Sequence, residues 1–399
     1  MTLTNRDIIV FSYADWHASW TTPQQIASRL APGNRVLFVD QPRSFLYGMK
    51  GRDPQGAGVW EGEALQEKAE NFWVLHMPHT FFPVGNNLPL PIAKAGLRWN
   101  SRRMGAHIRT AADRLGFKDP ILWNFSPLHG FAGKYIPHSL ALYDICDVWI
   151  NYIPYAPGRA LITGMEEHLC KTADLVLPST ENMAKKWAPF NPEMHVVPHA
   201  ADYAHFSTAA LPETPVPEEL GDLPRPIIGS VGVIDPDRFD VELICHLSQA
   251  RPDWSIVLVG PPRADMDCTR LESCSNVYLT GNKAIADLPK YIKGMDLCII
   301  PYRINDATRD IYPLKLQEYL ASGKPVVSSA MPSVVPFEGV VPIARSHDEF
   351  VTKIEVALAS ETAEKQAARM TVARENSWEH RVAEKSAHVV RVLEVKERP

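Results

Sequence analysis

A strand–helix–strand pattern occurs near the start of the chain and again beyond its midpoint. Each copy has an apolar run, a helical pattern and a second apolar run: 7–13, 22–30 and 35–39 in the first half, and 226–233, 241–250 and 254–259 in the second. Short apolar runs bounded by Gly or Pro are typical of strands buried on both faces of a parallel sheet. Further strands are predicted at 72–75, 120–123, 139–143, 175–178, 277–280, 297–301 and 325–328. The sequence therefore predicts an α/β protein with two doubly wound domains.

Composition excludes several classes of protein. The 399 residues are 45% hydrophobic and 22% charged, which is typical of a globular protein and not of a disordered, collagenous or coiled-coil chain. The net charge of −5 gives no global basic field for nucleic acid. No signal peptide or membrane-spanning run is found, so we expect a cytoplasmic protein. The six cysteines form no CxxC pair, and we expect reduced thiols and no metal cofactor.

A proline-rich stretch separates the two halves. We expect an N-terminal domain at 1–208, a linker at 209–225 and a C-terminal domain at 226–377. The last segment, 378–399, is predicted to be a charged amphipathic helix that crosses back to the N-terminal domain.

The usual nucleotide motifs of doubly wound folds are absent from the sequence. Neither opening strand is followed by G-x-G-x-x-G, which disfavours a dinucleotide-dependent dehydrogenase. Gly323-Lys324-Pro325 lacks the upstream glycine and the Ser or Thr of a P-loop, which disfavours an NTPase.

The stretch 309–328, RDIYPLKLQEYLASGKPVVS, carries the most chemical information. Pro313 can start a helix that Gly323 ends, which places Lys315 in the first turn and Glu318 inside the helix. A helix N-terminus with a lysine in its first turn suits a diphosphate, and Glu318 can accept two ribose hydroxyls. Asp310, just before the helix, is either a ligand or a helix cap.

These residues resemble a known family. Asp310-x7-Glu318 with YLASGKPVV is similar to the E-x7-E donor-binding region of family 4 glycosyltransferases of the GT-B fold, in particular those of bacterial cell-surface polysaccharides. Similar blocks in the same order are Asp15-Trp16, Pro23-Gln24, 35–39, Tyr143-Asp144-x-x-Asp147-x-Trp149, VPHAADYAHF at 197–206, GSVGVIDPDRFDVELI at 229–244 and Asn376-Ser377-Trp378.

The resemblance implies two Rossmann-like domains facing a central cleft. It implies a donor site formed by Gly232, Val233, Arg238, Pro313, Leu314, Lys315 and Glu318, with Asp310 among the catalytic residues. Asp310 and Pro313 depart from the Glu and Gly of the family pattern. A similar P-x-K-x-x-E/Q-Y pattern occurs in an inverting glucuronosyltransferase of xanthan assembly, so retention is the expected outcome and inversion the alternative.

Polar residues after the N-terminal strands are candidates for the acceptor side. His17, oriented by Asp15, and Asp147 are candidate bases for an inverting reaction, the alternatives being a surface histidine and a helix cap. Asp15, Asp144 and His199 are candidate acceptor-binding residues. Asp235-Pro-Asp237 and Asp265-Met-Asp267 match D-x-D, which we interpret as solvated turn carboxylates and not as a metal motif.

The sequence thus predicts a glycosyltransferase that moves a sugar from a nucleotide-diphosphate sugar, with UDP as the expected carrier, to a saccharide or lipid-linked acceptor in polysaccharide or glycoconjugate biosynthesis. A nucleotide-sugar epimerase or hydrolase of the same fold and a non-catalytic binding protein are the alternatives. Segment 81–115 combines apolar residues with six cations, which predicts either peripheral contact with an anionic membrane or an ordinary solvated helix face.

Overall fold

The computed structural model describes residues 3–18, 20–44, 64–78, 81–82, 88–129, 131–152, 156–306 and 308–398. The chain divides into two compact units. Unit 1 is Met1–Pro198 together with Arg381–Pro399, and unit 2 is His199–His380. All six cysteines are free thiols. Among the described residues, no helix combines the length and the apolar character needed to cross a membrane.

Unit 1 is built on a largely parallel sheet. Its described strands are β1 (Asp7–Phe11), β2 (Arg35–Val39), β3 (Leu65–Ala69), β4 (Phe72–Leu75), β5 (Ile121–Asn124), β6 (Leu140–Ile145) and β7 (Leu175–Pro178). Their order is β3-β4-β2-β1-β5-β6-β7, and only the edge strand β3 is antiparallel to its neighbour. The apolar runs at β1 and β2 are buried because helices cover the sheet, as parallel sheets require.

The helices of unit 1 pack around this sheet. Those described before Pro198 are α1 (Thr22–Leu30), α2 (Leu90–Arg114), α3 (Ala156–Thr172) and α4 (Glu181–Trp187). Met104 and Ile108 of α2 join the apolar side chains of β1 and β2 in one core cluster. The polar residues that follow each parallel strand therefore gather at one edge of the sheet.

Unit 2 is built on a fully parallel sheet. Its strands are β8 (Ile227–Val231), β9 (Ser255–Val259), β10 (Val277–Gly281), β11 (Leu297–Ile300), β12 (Val326–Ser329) and β13 (Ile343–Ala344). They lie in the order β10-β9-β8-β11-β12-β13. Its helices are α5 (Tyr203–Phe206), α6 (Glu218–Gly221), α7 (Val241–Ala250), α8 (Thr269–Glu272), α9 (Leu288–Gly294), α10 (Leu314–Ala321), α11 (His347–Ala359) and α12 (Ala363–Glu375).

Most sequence-predicted elements are confirmed, and two strands were missed. The predicted helices at 22–30 and 241–250 have the bounds of α1 and α7. Strand β3 was missed because LQEKA is polar and lies exposed at the edge of the sheet, where no apolar pattern is needed. Strand β13 has two residues, too few for a periodic signal.

The division of the chain differs from the predicted one. The boundary falls after Pro198, and the stretch predicted as a linker at 209–225 packs as part of unit 2. Ala209 and Leu220 are buried in the same cluster as the strands of that unit. Prolines exclude regular strands there, but scattered apolar side chains still anchor the segment. The final helix, α13 (Trp378–Lys396), counts with unit 1 from Arg381 onward.

Candidate active site

Helix α10 carries three of the residues expected to bind a donor: the exposed Leu314 at its start, Lys315 and Glu318. It begins after Pro313, whose φ of −73° suits a helix start, and no side chain caps its first turn. A φ of +73° at Gly323 lets the chain turn away before β12. The predicted order of proline, helix and glycine is confirmed, and the first N–H groups of the helix lack intrahelical acceptors.

The Lys315 ammonium faces the turn that follows β8. Only 8% of Lys315 is exposed. Its Nζ lies 4.8 Å from the centroid of the Tyr302 ring and 3.3 Å from the position that a Cβ on Gly232 would occupy. Within the described part of the chain, no carboxylate or carbonyl pairs with this ammonium. A buried cation without a counter-ion is costly, so an anion at the Gly232 turn would complete this arrangement.

Glycines bring the ends of β8 and β9 into close contact. Gly232 has a φ of +121° and Gly260 a φ of +141°. A Cβ on Gly260 would lie 2.2 Å from the Gly232 carbonyl oxygen, so no side chain fits there. The Gly232 N–H donates to the Val259 carbonyl at 2.8 Å. The neighbouring N–H of Val233 has no acceptor among the described residues and is the amide left for a ligand.

Glu318 is a partly buried carboxyl with an unused hydrogen-bonding capacity. Burial raises its pKa to about 7, and the charge of Lys315 opposes that rise. No donor of the described residues bonds its oxygens. A carboxylate in this position is able to accept hydroxyl groups of a bound ligand.

Asp310 does not cap α10, which removes one of its two sequence-level interpretations. Its Oδ1 is buried and has no hydrogen-bond partner among the described residues. The same holds for Oε1 of the fully buried Gln317, whose Nε2 donates to the Tyr312 hydroxyl at 2.7 Å. The ring of His199 lies 6.2 Å from that of Tyr312. His199, expected in the N-terminal domain, therefore belongs to unit 2, close to the donor residues.

The cations and acids after Gly232 pair with one another. Arg238 donates from Nη2 to Asp235 at 2.7 Å, so the expected diphosphate contact is an ion-pair partner in the structure. Arg263 contacts Asp235, Asp237 and Asp265 at 3.2, 2.8 and 2.6 Å. Three of the four D-x-D acids are therefore joined by one arginine, while Asp267 accepts the Thr269 N–H at 3.0 Å. Asp235 is buried and not solvated as predicted. The described residues contain no group of three or more His, Cys, Asp or Glu placed to hold a metal ion.

Asp144 has a structural role, which corrects the predicted acceptor contact. Both of its oxygens accept from Lys385 at 2.6 Å, and the Trp123 indole N–H adds a bond at 3.0 Å. The Asp144 side chain is 1% exposed. The residue lies inside β6 and not after it, so its carboxylate points into the unit and anchors α13.

Asp147 remains a candidate base. It is partly exposed, and its Oδ1 accepts the N–H of Val148 at 2.8 Å. It follows the end of β6, as predicted for a residue at the carboxyl edge of the sheet. Its charge is also one cause, after burial and Cys146, of the raised pKa of Tyr13.

The buried carboxylate of Asp15, which was predicted to orient His17, forms an ion pair with Arg43. His17 is exposed, and its Nε2 lies 3.4 Å from the Lys68 ammonium. Partial burial, then Lys68 and His76, lower the pKa of His17, while Asp40 acts in the opposite direction. These effects favour the neutral imidazole of His17, the form that accepts a proton.

The sequence interpretation missed a buried acid–imidazole pair beside His17. Asp40 follows β2 and His76 follows β4, and Oδ2 of Asp40 lies 2.6 Å from Nδ1 of His76. The other Asp40 oxygen accepts the Trp16 N–H at 2.8 Å. The rings of His17 and His76 stack at 5.8 Å. The strand order alone, which places β2 between β1 and β4, would have brought these residues together.

Helix α2 presents a basic face. Lys94, Arg98, Arg102, Arg109 and Arg114 are exposed, and the Arg103 guanidinium stacks on Trp99 at 4.7 Å. Trp99 and Ile92 are 46% and 49% exposed. The predicted basic amphipathic helix is therefore present, although residues 83–87 of that segment lie outside the described residues.

Comparison with known proteins assigns unit 2 to a class. Residues 225–360, all within unit 2, match the family described as glycosyl transferases group 1. Unit 2 therefore contains a group 1 glycosyltransferase domain, and the expected GT-B fold is confirmed by solved structures that align over nearly the whole chain. The finer family 4 resemblance remains a prediction.

This chain is similar to a curated bacterial protein named "Putative teichuronic acid biosynthesis glycosyltransferase TuaH", from Bacillus subtilis (strain 168). It is 28% identical over 224 residues, which cover 53% of this chain and 56% of that protein, so the chain spans about half the length of the curated relative it matches. Among solved structures, sucrose-phosphate synthase from Thermosynechococcus elongatus aligns with a TM-score of 0.68 and 15% identity over 98% of this chain and 100% of its own. An Escherichia coli structure titled trehalose-6-phosphate bound with UDP-2-fluoro glucose aligns with a TM-score of 0.69 and 13% identity over 98% and 99%.

Proposed function

We propose that this chain is a glycosyltransferase that moves a sugar from a nucleotide-diphosphate sugar, a UDP-sugar by preference, to a saccharide or lipid-linked acceptor in polysaccharide or glycoconjugate biosynthesis. The observation that carries the proposal is the buried ammonium of Lys315 at the Gly232 turn, which forms no salt bridge with any described residue. A diphosphate supplies the missing negative charge. The group 1 domain at 225–360 includes both residues.

The donor is proposed to lie along α10. Lys315 and the Val233 N–H bind the diphosphate, and the ionised Glu318 accepts the two ribose hydroxyls. Asp310, whose buried Oδ1 has no partner, accepts a hydroxyl of the transferred sugar. The family 4 resemblance favours retention, in which the departing diphosphate deprotonates the acceptor hydroxyl on the same face.

Inversion is the second stereochemical candidate, favoured by a neutral His17 beside the Asp40–His76 pair. His17 or Asp147 would then take the proton of the acceptor hydroxyl, whose oxygen bonds to the sugar C1 as the C1–O bond to the diphosphate breaks and the nucleoside diphosphate leaves. The anomeric configuration of the product, read by NMR, decides between retention and inversion.

Calorimetry with UDP, GDP and dTDP tests the donor site. We expect one nucleotide diphosphate to bind with micromolar affinity and to lose about 2–3 kcal/mol in Glu318→Ala, as for a lost charge-assisted contact. The matched control is Glu272→Ala, at an exposed residue of α8. Failure of all three nucleotides and their sugar conjugates to bind wild type would refute the donor site.

Product analysis without acceptor distinguishes the enzyme alternatives. An epimerase releases an altered nucleotide sugar and a hydrolase releases free sugar, each at full rate with the donor alone. A glycosyltransferase shows only slow donor loss until an acceptor is added, because water is a poor substitute for the bound acceptor.

The acceptor side is proposed to contact an anionic membrane through α2. Six cations and the exposed Trp99 and Ile92 lie on this helix, and each cation near an anionic leaflet contributes about 1 kcal/mol. Sedimentation with vesicles containing phosphatidylglycerol measures this contact, with phosphatidylcholine vesicles as reference. We expect binding to the anionic vesicles that Arg98→Glu, Arg102→Glu and Arg109→Glu together abolish, while reversal of Lys290, Arg309 and Lys365 leaves it intact. Equal binding by both triple variants would contradict the proposal.

A further inference from the structure

Tyr319 of α10 reaches across to the last residue of β8. Its side chain is fully buried, and its hydroxyl accepts the Val231 N–H at 2.6 Å. Burial raises the pKa of this hydroxyl well above its ordinary value, so it stays protonated. Its own proton points toward the Val231 carbonyl, 3.5 Å away.

This bond ties the helix to the glycine turn. Val231 N–H is held by α10, and the next N–H, of Gly232, is held by the Val259 carbonyl of β9 at 2.8 Å. The third N–H, of Val233, is the one without an acceptor among the described residues. The position of that amide is therefore set by one bond to the helix and one to the sheet.

Lys315 and Tyr319 lie four residues apart, on one face of the same helix. The Lys315 ammonium approaches Gly232, and the Tyr319 hydroxyl holds Val231. The two anion-binding groups, the ammonium and the Val233 N–H, belong to elements distant in sequence. The Tyr319 hydroxyl is a direct polar link between those elements.

We propose that Tyr319 is a positioning residue that fixes the Val233 amide relative to the Lys315 ammonium and thereby makes the site selective for a diphosphate over a monophosphate. The inference rests on the proposed function of the same site. Tyr319 does not touch the ligand. It acts through the turn, and a loss of its hydroxyl loosens one of the two groups that a second phosphate would need.

Tyr319→Phe tests the proposal, because it removes the hydroxyl and keeps the buried ring. Calorimetry is run with UDP and UMP, and with GDP, GMP, dTDP and dTMP in case another base is preferred. We expect the ratio of the monophosphate Kd to the diphosphate Kd to fall about tenfold, since one hydrogen-bonded contact is weakened, with the monophosphate Kd within about twofold of wild type. The matched control is Tyr203→Phe, whose hydroxyl accepts from Arg374 in the same unit, and it should leave the ratio unchanged.

Amide hydrogen exchange supplies a readout that needs no ligand. In Tyr319→Phe the Val231 amide should exchange at least tenfold faster, while the circular dichroism spectrum stays that of wild type. Should the variant fail to fold, wild-type NMR replaces it: the Val233 amide resonance should shift with UDP and much less with UMP.

The outcomes separate the two proposals. Faster Val231 exchange with no nucleotide bound by wild type would refute the proposed function and, with it, the selectivity. Tight UDP binding with an unchanged UMP-to-UDP ratio in Tyr319→Phe would leave the function standing and overturn the positioning role. A similar loss for UDP and UMP would also overturn it.

Discussion

Two carboxyl groups have pKa values near neutral pH, one at the proposed ligand site and one in the other unit. Burial raises the pKa of Glu318 and of Glu166 to about 7. Glu166 lies in α3 with the Tyr143 hydroxyl at 3.3 Å, in unit 1, whereas Glu318 lies at the proposed donor site in unit 2. The folded state holds each proton more tightly than the unfolded state does. The free energy of unfolding contributed by each group is therefore full below about pH 4.5 and falls as pH rises toward 7.

Glu318→Gln should uncouple nucleotide binding from pH. Hydroxyl groups of the ligand donate to the ionised carboxylate. As the pH rises toward 7, wild-type affinity for the nucleotide diphosphate should therefore strengthen by up to about tenfold per pH unit, and above pH 7 it should level off. The variant should bind more weakly and with a flatter profile, as measured by calorimetry at pH 5.5 to 8.5. Glu166→Gln is the control. It should flatten the pH dependence of the stability of unit 1, while its nucleotide affinity should depend on pH as in wild type. A binding profile altered equally by both variants would rule out the role of Glu318.

Lys315→Met should weaken the binding of a nucleotide diphosphate and stabilise the unliganded protein. The loss of a charge-assisted contact predicts about 2–3 kcal/mol of lost binding free energy, and the apolar replacement removes an unpaired buried charge. Calorimetry and thermal unfolding measure the two effects, with Lys290→Met, in a surface ion pair with Asp287, as control. A variant that binds the diphosphate as well as wild type would show that Lys315 is a packing residue only.

For individual residues, the sequence was enough to predict the donor residues of α10, but not the pairs of residues that are distant in sequence. Lys315, Glu318 and Pro313 lie within six residues, so helical spacing sufficed to place them together. Asp40 and His76 are contributed by different strands, and their contact depends on a strand order that periodicity does not encode. Asp144 was misassigned for the same reason, since its partner Lys385 is distant in sequence.

Among the elements, α13 and the residue that follows it form charged pairs within unit 1. Besides Lys385–Asp144, Lys396 contacts Asp174 at 2.9 Å and Arg6 contacts Glu397 at 3.2 Å. The last two pairs are exposed and contribute little, whereas Lys385 and Asp144 are both almost fully buried. Val389 and Leu393 add buried apolar contacts on the same helix.

Lys385→Met should therefore destabilise unit 1 strongly. Removing one partner of a buried ion pair leaves the other charge unpaired, which costs about 3–5 kcal/mol. Combining it with Asp144→Asn should recover part of that loss. Chemical denaturation measures both, and Lys396→Met should change stability by less than about 1 kcal/mol. A double variant no more stable than Lys385→Met alone would contradict this account.

The regular elements were largely predictable, and their ends less so. Apolar runs fixed most of the buried strands because both faces of a parallel sheet must be covered. The exposed edge strand β3 carries no such pattern, and the proline-rich stretch at 209–225 packs through isolated side chains such as Leu220.

For the molecule as a whole, the two units differ from the halves of the sequence. Residues Arg381–Pro399 follow unit 2 in the chain and belong to unit 1. The GT-B fold was predictable from the doubled strand–helix–strand pattern and the family resemblance. The identity of the acceptor was not predictable, because it depends on side chains from several strand ends.

Truncation after His380 should destabilise unit 1, although most of that unit lies far from His380 in the sequence. The change removes Lys385 and leaves Asp144 unpaired, so the unfolding of unit 1 should shift to lower temperature in calorimetry. Unit 2 retains Lys315 and Glu318, and a hundredfold excess of nucleotide diphosphate over its Kd should still stabilise it by about 2.7 kcal/mol. Loss of that ligand-induced shift in a folded unit 2 would contradict the division.

The return of α13 to unit 1 also orders events at the ribosome. Synthesis proceeds from the N-terminus, and domains usually fold as they emerge. Asp144 therefore lacks its cation until all of unit 2 and the residues after it, as far as Lys385, have been translated. Unit 2 is thus complete before unit 1, and a nascent chain that stops before Lys385 contains the whole of unit 2 but leaves Asp144 of unit 1 without its ion-pair partner.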